Sequence, residues 1–138
     1  MTASPLRDLP EAFHEEAWTE SIHLLNELAG ADGFLASSHQ KANYRRIWGR
    51  DGAIIGLAAL VSRDDTLIDA LRRTLVTLAR HQGPHGEIPS NVDTTTGRIS
   101  YGGTAGRIDA DLWFVITAGQ FHRRTQDGAF LDEMLPVL

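Results

Sequence analysis

The sequence predicts an all-α domain built of antiparallel helical hairpins, and three observations lead to that fold class. Apolar residues recur at helical spacing in five segments, which glycine, proline and small polar residues separate. The hydrophobic fraction of 42% and the charged fraction of 22% are those of a folded globular domain rather than a disordered chain. The length of 138 residues suits one domain, and we expect the apolar stripes of its helices to form the core.

The first three predicted helices have clear end signals. The first follows Pro10, carries glutamates in its opening turns and stops at Gly30. The second begins at Arg50 or Asp51 and is apolar almost all round, which predicts burial on most sides. Asp64 caps the third helix, which places four leucines on one face: Leu67, Leu71, Leu75 and Leu78.

A long loop and two more helices follow. Residues 81–106 are dense in Gly, Pro, Ser, Thr and Asn, and a loop of this length inside a compact domain is usually functional or disordered. Within it, residues 98–101 suggest a brief strand. A fourth helix extends to Gly128, and a fifth starts near Phe130. The pattern stops at Leu138 without a terminator, so residues 1–138 are expected to be the N-terminal part of a single domain, truncated after about five helices.

Composition argues against several functional classes. The formal net charge of -5 disfavours nucleic acid as a partner, because phosphate binding needs clustered Lys and Arg. The chain has no cysteine, and His81 and His85 are separated by a Gly-Pro step, so no metal site is expected. No apolar run reaches membrane-spanning length and the start lacks the order of a signal peptide, which predicts a cytoplasmic protein without a membrane partner.

Two groups of residues offer the chemistry of a sugar subsite. At the start of the second helix, Trp48 supplies a flat apolar face, Arg50 a rigid fork of donors and Asp51 an acceptor for paired hydroxyls. Asp51 taken alone is equally well explained as a helix cap. In the long loop, Asn91 and Tyr101 offer donors and acceptors near glycines that let a ligand approach the backbone, although an ordinary loop explains them equally well.

Two carboxylates, Asp109 and Asp111, open the fourth helix, and both cannot be simple caps. A carboxyl group beside Trp113 and Phe114 would be partly desolvated, which suits a general acid. The opening of this helix is therefore a candidate acid site, in which the role of Asp111 stays open.

Taken in order, these clusters resemble the first third of the six-hairpin, (α/α)6-barrel glycosidases. Tyr44, Trp48, Arg50 and Asp51 form a Tyr-x-x-x-Trp-x-Arg-Asp pattern similar to the stretch of glucoamylases that grips the nonreducing sugar. Residues 86–91, Gly-Glu-Ile-Pro-Ser-Asn, resemble the Gly-x-Ile-Pro loop of amylo-alpha-1,6-glucosidases, the glycogen debranching enzymes. Residues 106–114 resemble both the Val-Asp-Ala-x-Leu-Trp-Phe stretch of that group and the Gly-Arg-Val-Asp-Ser stretch of neutral invertases.

The resemblance implies a partial (α/α)6 toroid and a glycoside hydrolase that cleaves α-glucosidic linkages by inversion, without a metal or a cofactor. It implies that Asp109 is the proton donor. In these families the catalytic base comes from late hairpins, so the chain alone is expected to be inactive. The substrate-binding residues that it implies are Trp48, Arg50, Asp51, Arg107 and Trp113.

Three alternatives stay open beside this interpretation. The first is a sucrose-cleaving hydrolase like the neutral invertases, and the second is a noncatalytic sugar-binding helical module. The third is a plain helical interaction domain, in which the aspartates are caps and the tryptophans are core. A partial ring of helices leaves apolar surface open, so self-association through exposed helix faces is also expected.

Overall fold

The computed structural model describes residues 10–39, 43–103 and 108–138. In this part of the chain, five helices and two small antiparallel sheets follow one another. The helices are α1 Glu11–Leu28, α2 Gly49–Ser62, α3 Asp65–Arg80, α4 Ile108–Thr125 and α5 Gly128–Met134. The strands are β1 Ala29–Gly30, β2 Gly33–Phe34, β3 Ile47–Trp48, β4 Asn91–Asp93 and β5 Arg98–Ser100.

The prediction of an all-α fold, and with it the partial (α/α)6 toroid made of helical hairpins, is wrong. About 60% of the described residues are helical, but they have a mixed α and β content. Strands β1 and β2 form a hairpin, and β4 lies between β3 and β5 in a three-stranded sheet. The strands are two or three residues long, which is too short for an alternating pattern to be visible in the sequence. Only β5 falls in a segment where a strand was predicted.

Helix α3 is the centre of the core. Its four leucines are at most 1% exposed, which confirms the predicted face: Leu67, Leu71, Leu75 and Leu78. The Asp64 side chain accepts hydrogen bonds from the first turn of α3, as expected of an N-cap. The β1–β2 hairpin packs on the same helix, where the Phe34 N–H donates to Thr74 Oγ1 at 2.8 Å. Gly33 makes this contact possible, because its φ is +129° and an added Cβ would collide with the Thr74 backbone.

Small residues let α2 approach its neighbours closely. An added Cβ at Gly52 would meet the Thr74 methyl group, and one at Gly56 would collide with Leu71, so α2 and α3 pack in antiparallel directions. Helix α2 is buried on most sides, as predicted, and one side stays open, where Ile54 and Val61 are 48% and 69% exposed.

Helix α1 departs furthest from its predicted role. It has the expected bounds, but only Leu25 and Leu28 are buried, while Phe13 and Leu24 are about half exposed. The apolar stripe of α1 therefore belongs to the core only at its C-terminal end. None of the described helices combines the length and the apolar character needed to cross a lipid bilayer.

Candidate functional site

Six residues surround one small concavity, which we call the corner: Trp48, Arg50, Asp51, Ser90, Asp109 and Ala110. The corner forms where strand β3 runs directly into α2, because Trp48 ends the strand and Gly49 begins the helix. The first turn of α4 lies beside this junction. A helix dipole favours an anion at the N-terminus of the helix, so the first turns of α2 and α4 are suitable places for a carboxylate.

Gly49 brings together the three segments that form the corner, which are the β3–α2 junction, the loop before β4 and the first turn of α4. Its N–H donates to the Ser90 carbonyl oxygen at 3.0 Å. A Cβ added at Gly49 would lie 2.8 Å from the Pro89 carbonyl oxygen and 3.0 Å from the Ala110 Cβ. Both distances are shorter than ordinary contacts, so only glycine permits this approach without a shift of the surroundings.

Arg50 joins the two carboxylates of the corner. Its Nη1 donates to Asp109 Oδ2 at 3.2 Å, although 59 positions separate the two residues in the chain. Its Nη2 lies 3.7 Å from Asp51 Oδ2. The Arg50 side chain is 48% exposed, and those of Asp51 and Asp109 are 33% and 35% exposed. The three charged groups that were expected to converge therefore lie together at a partly solvated surface.

Trp48 is held in place on one side of the corner. Its Nε1 donates to the Asn43 carbonyl oxygen at 3.1 Å. Its ring stacks with Tyr44, with 6.1 Å between ring centroids and 23° between planes. A ring that is fixed in this way and only half-buried offers a preorganised apolar surface to a ligand.

Asn91 and Tyr101, the two loop residues predicted to contact a sugar, are not among the residues around the corner. Asn91 is buried, and its Oδ1 accepts from Arg46 Nη1 at 3.1 Å. The Tyr101 hydroxyl donates to the His81 carbonyl oxygen at 2.9 Å. Both side chains thus make hydrogen bonds within the fold, which the sequence did not indicate.

The sheet beside the corner contains one carboxyl group with a shifted pKa. A hydrogen bond from the Thr96 side chain, with the Thr96 N–H and the Arg46 guanidinium, lowers the pKa of Asp93 from 3.8. Arg46 Nε lies 3.4 Å from Asp93 Oδ2 and the same side chain reaches Asn91. The ion pair of Arg46 with Asp93 and its hydrogen bond to Asn91 therefore help to hold β3 and β4 together.

Of the two remaining predicted contacts, only Trp113 belongs to the described residues. Trp113 is on α4, one turn beyond Asp109, and is half-buried without lining the concavity. Arg107 lies outside the described residues. Phe114, expected to desolvate the acid, is buried in the core, and the close partner of Asp109 is the Arg50 guanidinium.

Ser90 is the polar residue of the corner that was not among the predicted site residues. It is 5% exposed and it lines the concavity. It lies within the Gly86–Asn91 stretch, but the sequence offered no signal that distinguished it from Asn91. Its place depends on the hydrogen bond between Gly49 and Ser90, a contact between distant parts of the chain.

The enclosed part of the corner is small. Its volume is about 10 Å³, which is room for roughly one water molecule. A larger concavity of about 200 Å³ lies between the β1–β2 and β4–β5 turns, where Asp32, Arg45 and Thr95 line it without an aromatic side chain. Among the described residues, no group of three or more His, Cys, Asp or Glu side chains is placed to hold a metal ion.

Comparisons with protein-family models, with curated proteins and with solved structures gave no match to this chain, so the function is argued from the geometry of the corner.

Proposed function

We propose that the corner holds a sugar residue as part of the site of a glycoside hydrolase that acts on α-glucosidic linkages. The observation that carries the proposal is the contact of Arg50 with Asp109 and Asp51 beside the fixed ring of Trp48. A guanidinium fork, two carboxylates and an aromatic face are the groups that bind the hydroxyls and the apolar face of a pyranose.

The ion pair is weak enough to open for a ligand. Both members are exposed by a third to a half, and such pairs contribute roughly 0–1 kcal/mol to stability. A hydroxyl that inserts between Arg50 and Asp109 can therefore replace their contact at small cost. Because the enclosed volume is about 10 Å³, the sugar ring lies across the open side of the corner rather than within it.

Asp109 is the proposed proton donor to the glycosidic oxygen. The contact with Arg50 Nη1 occupies Asp109 Oδ2, so the ligand must separate the two side chains before Asp109 can reach the glycosidic oxygen. Inversion also needs a second carboxylate, set about 6.5–9.5 Å from the acid, to activate water. The corner is assigned only the binding and acid parts of this chemistry, and we expect the chain alone to bind sugar without hydrolysing it.

Two other functions use the same residues. A sucrose-cleaving hydrolase differs in the sugar that follows the cleaved bond, and a noncatalytic sugar-binding module needs only the Trp48, Arg50 and Asp51 contacts. The interaction-domain alternative is less well supported, because it requires tryptophans in the core. Trp48 and Trp113 are half-buried, and Trp18 is 51% exposed.

Titration with maltose, panose and sucrose, followed by Trp fluorescence and calorimetry, tests the proposal. Arg50→Ala should weaken maltose binding by about 10- to 100-fold, the range expected for a lost hydrogen bond to a charged group. Its free energy of unfolding should change by less than about 1 kcal/mol. Arg45→Ala is the matched control, because Arg45 lines the larger concavity instead. The proposal fails if no sugar binds, or if Arg45→Ala weakens binding as much as Arg50→Ala.

We also propose that a second copy of the chain covers the exposed face of α4. Four apolar side chains on this face are 49–72% exposed: Ile108, Leu112, Val115 and Ile116. They recur along one side of the helix, whose last turn carries Arg123 and Arg124. Helix α1 carries exposed Phe13 and five glutamates with no Lys or Arg, so its apolar and acidic face complements this surface.

Sedimentation velocity tests this self-association. Leu112→Glu should shift the chain to the monomer, because it places a like charge opposite the glutamates of α1. Ser62→Glu, at the end of α2, is a control that should leave the oligomeric state unchanged. A wild-type chain that stays monomeric at about 100 µM, where even weak dimers with Kd near that value are populated, contradicts the proposal.

A further inference from the structure

We propose that Ser90 contacts the sugar in the corner through its hydroxyl, and that Asp111 is the positioning residue that holds the Ile88–Ser90 segment in place for this contact. The inference rests on the proposed function of the corner. It gives a role to Asp111, the second carboxylate of α4, and it replaces the predicted contact from Asn91.

Two contacts of the following backbone hold Ser90 in the wall of the corner. Its carbonyl oxygen accepts from the Gly49 N–H at 3.0 Å. The next residue, Asn91, pairs with Trp48 in the sheet. The backbone that follows the Ser90 side chain is thus fixed to the same junction of β3 and α2 that carries Arg50.

The Ser90 hydroxyl is suited to a ligand contact. The residue is 5% exposed, and it is one of the residues that line the concavity. Within residues 10–39, 43–103 and 108–138, no hydrogen bond involves its Oγ. A hydroxyl can both donate and accept, so it can bond to a sugar hydroxyl in the corner with little steric demand.

Asp111 fixes the other end of the segment. Its Oδ1 accepts from the Ile88 N–H at 2.6 Å, across 23 positions of the chain. Ile88 is itself 5% exposed, so its N–H is costly to leave without a partner. The segment is therefore tied to α4 at Ile88 and to α2 at Ser90.

The geometry of a helix explains why α4 opens with two carboxylates. Residues two positions apart on an α-helix point in directions roughly 200° apart. Asp109 contacts Arg50 in the corner, whereas Asp111 contacts the loop, so the two side chains serve different partners. Asp109 meets the ligand under this proposal, and Asp111 acts only through the segment that it holds.

Amide hydrogen exchange and maltose titration of the 138-residue chain test both roles. Asp111→Ala should make the Ile88 amide exchange at least tenfold faster and weaken maltose binding by about three- to tenfold. Asp111→Asn keeps a carbonyl oxygen that can accept from Ile88, so it should restore both readouts to near the wild-type values. Ser90→Ala should weaken maltose binding by about three- to tenfold while the exchange of Ile88 stays unchanged.

The outcomes separate this inference from the proposed function. It is overturned if Arg50→Ala weakens maltose binding but Ser90→Ala does not. It is also overturned if Asp111→Ala exposes the Ile88 amide without any change in affinity, because Asp111 is then only structural. If wild-type chain binds no maltose, the proposed function fails and the Ser90 contact fails with it. In that case the exchange of Ile88 still shows whether Asp111 holds the segment.

Discussion

Replacing Gly49 with alanine tests how tightly the corner is packed. The added Cβ would lie 2.8 Å from the Pro89 carbonyl oxygen and 3.0 Å from the Ala110 Cβ. The first is a backbone atom and the second is fixed to its backbone, so neither can rotate away. Overpacking of this kind usually costs about 1–3 kcal/mol, while alanine gains at most about 1 kcal/mol over glycine in a helix. We expect a net loss of about 1–2 kcal/mol in the free energy of unfolding.

Urea unfolding measures this loss, and Gly119→Ala is the matched control. Gly119 is also in a helix, but an added Cβ there meets no atom within 4 Å. This variant should be more stable than wild type by about 0.5–1 kcal/mol, because only the gain in helix propensity remains. Gly49→Ala should also weaken maltose binding, since the Ser90 carbonyl is pushed from α2. If Gly49→Ala is as stable as Gly119→Ala, the close approach of the three segments is refuted.

Three further predictions concern the core and the pH dependence of stability. Thr117 is fully buried and its hydroxyl has no hydrogen-bond partner among the described residues, so Thr117→Val should stabilise the fold by about 1 kcal/mol, and a loss in urea unfolding would contradict this. Leu75→Ala should lower the free energy of unfolding by about 2–5 kcal/mol, because the Leu75 side chain is 1% exposed. Leu24 is 49% exposed, so Leu24→Ala should change that free energy by less than about 0.5 kcal/mol. Similar losses in the two variants would contradict the burial of Leu75. The Phe130 N–H, which Asp127 caps at the start of α5, and then Arg72 lower the pKa of Asp127 from 3.8. The Asp127 carboxylate therefore stabilises the fold above pH 3.8, and this stabilisation is lost as acid protonates it. Asp127→Asn keeps the cap but not the charge, so its stability difference from wild type should shrink as the pH falls below 3.8 and disappear below the lowered pKa of Asp127. A difference that is constant from acid to neutral pH would refute the assignment.

The helices were predictable because each has a period that repeats over several turns. The leucine face of α3 is the clearest case, with Leu67 to Leu78 in register over its whole length. The sheets were not predictable, because β3 has two residues and its partner β4 begins 43 positions after β3 ends. In α1 the period predicted a helix correctly, but a period alone does not say whether another element covers its apolar face. Phe13 therefore fits the pattern and still remains half exposed.

The corner was predictable only where residue type and helix position agree. Arg50 and Asp109 each stand in the first turn of a helix, and two helices that start side by side bring such residues together. In the loop, Asn91 was the predicted contact, although the amide of Asn91 and the hydroxyl of Ser90 can each both donate and accept. Successive side chains of an extended segment point to opposite sides, so only one of these neighbours can face the corner. The hydrogen bond from Gly49 decides which one, and a contact between residues 41 positions apart leaves no trace in the local sequence.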